Sequence, residues 1–145
     1  TMHLVAPQVA AAVDVPLLDL LDAVADAVKR ASLATVGLLG TAFTMEHGFY
    51  ADGLARRGVA TRVPVTDDRA LVHRVIYDEL CQGVVSEQSR AALRDVIERL
   101  VGGGAEGVIL GCTELELLIT QADSSVPVFP TTRLHVDQLL DWALA

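Results

Sequence analysis

Cysteine is scarce in this chain, with two residues in 145, Cys81 and Cys112, on separate segments. That count excludes a disulfide framework, and the spacing matches no metal-binding pattern. Basic residues are also few, 11 Lys and Arg against 19 Asp and Glu, for a net charge of −8. A nucleic-acid surface needs a basic stripe, and an anionic membrane surface needs the same sign of charge. Neither class of partner is expected. No apolar run reaches the roughly 18 residues of a membrane span, and no basic segment followed by a compact apolar one marks a signal peptide. A P-loop, a GxGxxG after a strand and an HExxH are all missing. What remains is apolar: 52% hydrophobic residues and a mean hydropathy of +0.43. The length suits one domain with a sizeable core, and a reducing cytoplasm is the simplest home.

The apolar segments alternate between strand and helix patterns. Helices are expected over Leu4–Val13, Leu20–Ala31, Thr41–Arg57, Asp67–Gln82, Ser86–Val101 and Thr132–Ala143. Leu20, Leu21, Val24 and Val28 would share one helix face. Strands are expected over Thr35–Leu39, Val59–Val65, Glu106–Leu110 and Val126–Phe129, with Val15–Asp19 a short strand or loop. Gly58 and the Gly102-Gly103-Gly104 run are helix stops, while Thr66 or Asp67, and Ser86, are helix caps. Continuous apolar strands separated by helices predict an α/β fold, a parallel sheet flanked by helices. In such a sheet the site lies beyond the carboxyl ends of the strands.

Two junctions fall there, Gly40-Thr41 and Gly111-Cys112. A cysteine between a buried strand and a helix start meets outward-facing N–H groups and the positive end of a dipole. This favours thiolate over thiol and offers a carboxylate cradle. The alternative is a small residue that merely tightens the turn. Cys81 reads as a buried core thiol, and His47 and His73 as helix-surface residues. His135 could serve in packing or capping as well as in chemistry, and a histidine near a terminus, such as His3, is usually solvated. Asp19, Asp22 and Asp26 read as the wet face of a helix, and Asp67-Asp68-Arg69 as a helix start without chemistry.

The segment Gly107-Val108-Ile109-Leu110-Gly111-Cys112-Thr113-Glu114-Leu115 resembles the second catalytic-cysteine motif of the aspartate/glutamate racemase family. Val36–Thr41 with Phe43–Glu46, Asp67-Asp68, Ile76–Gly83 and Thr131–His135 are similar to further segments of that family, in the same order. Thr1-Met2-His3 resembles the tail of its Asn-Thr-X-His motif. The resemblance is nearest to the family's amino-acid racemases. It implies one lobe of a two-lobe, pseudo-symmetric fold, working with no pyridoxal phosphate and no metal. Residues 1–14 would be a helix of a first lobe, residues 15–122 the second α/β lobe, and residues 123–145 a strand and helix returning to the first. Two acid–bases would flank the α-carbon of an amino-acid substrate, one giving and one taking its proton. Backbone N–H groups would hold the carboxylate.

By that resemblance Cys112 is one acid–base. Thr1, Thr41, Thr113 and Glu114 would contact substrate. Stabilising a helix N-terminus is the alternative for Glu114. The first catalytic residue would fall two places before Thr1, so the chain reads as a piece lacking its N-terminal half. Val84 stands where several relatives carry lysine, and Pro130 where many carry aspartate. Apolar faces of the end helices, with Leu134, Leu139, Leu140 and Trp142, would then lie open and drive dimerisation or rearrangement. A remnant that binds a carboxylate or self-associates, and a one-cysteine decarboxylase or isomerase of the same superfamily, remain the other readings.

Overall fold

The computed structural model describes residues 2–145, with side chains from His3 onward. Among the described residues four strands form one parallel sheet in the order β2-β1-β3-β4. They are β1 (Thr35–Leu39), β2 (Ala60–Arg62), β3 (Val108–Leu110) and β4 (Val128–Pro130). The register sets Leu38 beside Ile109, and Ile109 beside Phe129. Side chains alternate across the sheet as a pleat requires. Val36, Leu38, Ile109 and Phe129 face one layer with α2 (Leu20–Arg30) and α4 (Phe49–Arg56). Leu39, Val108 and Leu110 face the other layer, with α5 (Thr66–Arg74) and α6 (Glu87–Gly102). The predicted parallel sheet covered on both faces is what forms.

Helix α2 starts where Asp19 accepts the N–H of Leu21 at 2.9 Å. It buries Leu21, Val24 and Val28 of the expected face, while Leu20 is only partly buried. Asp19 and Asp22 are not simply wet, since Arg57 bonds both, at 2.9 and 2.5 Å. The expected helix over Thr41–Arg57 is two helices, α3 (Ala42–Glu46) and α4. Gly48 breaks it with φ +80°, a left-handed conformation open to glycine at low cost. Residues 15–19 form no strand. Helix α5 begins after Val65, which supplies no side-chain cap, so neither Thr66 nor Asp67 fills that role. Asp68 is largely buried and holds Arg99 with two contacts of 2.7 and 2.8 Å, a structural ion pair where only a helix start was expected.

The first helix departs from expectation at its start, whereas the last forms within one residue of its expected bounds. Residues 2–5 are a 3₁₀ turn leading into α1 (Ala6–Ala12). Strand β4 pairs with β3 in this sheet, so the segment after residue 122 is built into the same layer system. Helix α7 (Thr131–Leu144) lies on α2. Leu134 packs against the α2 layer, and His135 Nε2 lies 3.0 Å from the carbonyl of Leu18. Leu134 is therefore half-covered, while Leu139, Leu140 and Trp142 remain exposed at 42%, 52% and 58%.

Candidate active site

The carboxyl ends of β1 and β3 lie side by side. The N–H of Gly111 donates to the carbonyl of Leu39 at 2.7 Å. A Cβ on Gly111 would stand 3.0 Å from that same oxygen, so a side chain there would push the two turns apart by a few tenths of an ångström. Leu110 is held from the far side, where the buried hydroxyl of Thr131 donates to its carbonyl at 2.8 Å. Cys112 follows in extended conformation, and the next element is a five-residue 3₁₀ turn, Thr113–Leu117, where a longer helix was expected.

Two donors converge on one carboxylate oxygen. The Cys112 thiol donates to Glu114 Oε2 at 2.8 Å, and the Thr113 hydroxyl donates to the same atom at 2.7 Å. Cys112 is half-buried and leans on the core of the α6 layer. Burial first, then the hydrogen bond to Glu114 and its negative charge, push the thiol up to about 12. The thiol is therefore favoured over the thiolate at neutral pH. The two hydrogen bonds hold the Glu114 carboxyl below the usual carboxylate range. The expectation of a thiolate at rest is corrected for a physical reason. A single 3₁₀ turn has little dipole to offer, and the nearest charge is a carboxylate rather than a cation. Glu114 spends one oxygen on the thiol and the Thr113 hydroxyl.

Thr41 stands at the facing turn. Its Oγ1 caps α3 by accepting the N–H of Thr44 at 3.3 Å and lies 3.2 Å from the Thr44 hydroxyl oxygen. Thr41, Cys112, Thr113 and Glu114 thus occupy one edge of the sheet, whereas Thr1 lies outside the described residues. His73, expected on the helix surface, is half-buried and accepts the Ala42 N–H at Nδ1, 3.2 Å away. No local sequence signal marks that contact, which joins residues 31 apart.

Cys81 is exposed. The segment Val75–Glu79 is a π-turn and Leu80–Gln82 a 3₁₀ turn. The wider turn rotates the helix face, so Leu80 stays buried and Cys81 turns outward. His3 is not free in solvent, since its Nδ1 lies 3.3 Å from Asp19 Oδ1 and its ring 6.1 Å from that of His135. Burial lowers the pKa of His3.

The lobe is a parallel α/β sheet with a thiol and a carboxylate at its carboxyl edge. The chain belongs to the Asp/Glu/Hydantoin racemase family, whose model matches residues 1–139. It is 32% identical over 111 residues to an uncharacterized protein in the pnlA 3' region of Pectobacterium carotovorum subsp. carotovorum, covering 77% of this chain and 73% of that one. A crystal structure of a candidate Asp/Glu racemase from Yersinia pestis superimposes with a TM-score of 0.95 at 46% identity, covering 99% of this chain. An aspartate racemase homologue from Pyrococcus horikoshii gives 0.92 at 36% identity over the same 99%. The chain spans 63% of the length of each of these two proteins. A Picrophilus torridus aspartate racemase shares the fold alone, at 23% identity and a TM-score of 0.65, with 86% of this chain and 52% of that one covered.

Proposed function

We propose that this chain takes part in cofactor-independent racemisation of an amino acid, with Cys112 as one of two acid–bases. The carrying observation is the Cys112 thiol, protonated and aimed at Glu114 where the β1 and β3 turns meet. A two-base inversion needs one partner protonated at rest. Cys112 suits that partner. A base on the opposite face, outside this chain, would take the α-proton as the C–H bond breaks. The electron pair left on the α-carbon would then collect the Cys112 proton, leaving a thiolate. Glu114 steadies the thiol in the resting state. Turn N–H groups, with Thr1, Thr41 and Thr113, would bind the α-carboxylate as charge develops.

In this reading residues 15–122 are the core of one lobe. The helix within residues 1–14 and the exposed side of α7 within residues 123–145 face a second lobe. The substrate is an amino acid of aspartate, glutamate or broader type, the working form a homodimer, and the compartment the cytoplasm, where both free cysteines stay reduced.

The same protonated thiol also favours a second reading, a one-cysteine decarboxylase or isomerase that protonates a single face. Solvent deuterium exchange at Cα of aspartate and glutamate, followed on a chiral column, separates the two. The racemase reading expects deuterium in both enantiomers and loss of racemisation in Cys112→Ala. Exchange with retained configuration supports the one-base enzyme. No exchange in the wild-type protein leaves a binding remnant.

A further inference from the structure

The turn after β1 forms half of the site, and a side chain from another element grips it. Ala42 opens α3, so its N–H has no partner inside that helix. The capping oxygen of Thr41 is already used by Thr44. His73, at the end of α5, accepts the Ala42 N–H at Nδ1, 3.2 Å away. The Tyr77 ring lies 4.7 Å from the imidazole and limits its tilt. An imidazole accepting at Nδ1 carries its proton on Nε2, which defines one neutral tautomer.

The gripped turn touches the cysteine turn. A Cβ on Gly40 would lie 3.7 Å from the Gly111 carbonyl oxygen, and one on Gly111 would lie 3.7 Å from Thr44 Cγ2. A shift of Ala42 therefore passes through Thr41 and Thr44 to Gly111, the residue before Cys112.

We propose that His73 is a positioning residue of this site, setting residues 40–42 through its Nδ1 contact and so fixing the Thr41 hydroxyl and the backing of Cys112. Its kinetic consequence rests on the racemase reading, but its structural consequence does not.

Two substitutions in the full-length protein test it. His73→Asn offers an amide oxygen close to where Nδ1 lay, and His73→Leu keeps bulk without an acceptor. Hydrogen exchange at the Ala42 amide should quicken about tenfold in the leucine variant and stay near wild type in the asparagine variant. Alkylation of Cys112 by iodoacetamide at pH 9 should change several-fold in leucine alone, in roughly the same sense of lost order. In the deuterium exchange assay, leucine should lower kcat about tenfold with KM within about twofold, and asparagine should restore it. Equal behaviour of the two variants, or wild-type rates in leucine, overturns the proposal. Should the leucine variant not fold, His73→Gln replaces it, since its oxygen reaches past the Nδ1 position and should fail where asparagine succeeds. A wild-type protein that exchanges no deuterium defeats the racemase reading, while amide exchange and alkylation still decide the role of His73.

Discussion

Glu114 governs the sulfur beside it. Its carboxylate accepts the thiol proton and opposes a negative charge there. Replacing it with glutamine removes the charge, so the thiol should ionise more readily. Alkylation of Cys112 in Glu114→Gln at pH 9 should rise about tenfold, the effect of one unit of pKa. The same sulfur links stability to alkaline pH. The folded thiol titrates at about 12, above its value in an unfolded chain, near 8.5. Its contribution is complete below that lower value and is lost as pH rises through the folded one. Melting temperature should therefore fall between about pH 9 and pH 12, and fall less steeply in Cys112→Ser. Tyr50 adds to the slope, because burial, and then the charge of Asp19, raise its phenol well above the ordinary value. Its hydroxyl is buried without a partner among the described residues. Tyr50→Phe should be neutral or stabilising by up to about 1 kcal/mol.

Among the elements, the join between α3 and α4 rests on one residue. Gly48 has φ +80°, which an alanine adopts only with strain. Gly48→Ala should cost about 1–2 kcal/mol, read as an earlier denaturant midpoint. Strands β1 and β3 were legible because their apolar runs were unbroken between helical patterns, whereas β2 keeps only Ala60–Arg62 of the expected Val59–Val65 and is largely exposed. Helix α2 was legible because Leu21, Val24 and Val28 repeat on one side. The split at Gly48 was not, since a lone glycine in a helical pattern is often tolerated. The π-turn at Val75–Glu79 was hidden too, because widening one turn leaves no composition signal, and it cost the placement of Cys81. At the site, the position of Cys112 was readable from strand, glycine and turn. Its protonation state was not, because that depends on the side chain of Glu114 folding back on the sulfur. The role of His73 was unreadable, as it is created by α5 meeting α3.

For the whole molecule, association is the expected consequence of the open side chains of α7. Leu139, Leu140 and Trp142 are exposed, and such patches drive assembly. Light scattering of residues 1–145 alone should give a species larger than a monomer, and Leu140→Glu with Trp142→Glu should shift it towards monomer. A clean monomer at high concentration in the parent chain would remove the homodimer from the reading. The docking of α7 on α2 also has a consequence for the order of folding. His135 meets a carbonyl 117 residues earlier in the chain. Long-range closures of this kind come late. Leu21, Val24 and Val28 meet β1 and α4, their near neighbours in sequence, before the distant contact with α7 completes that layer. Slowing that last docking step should leave a species with α2 already packed and α7 still loose.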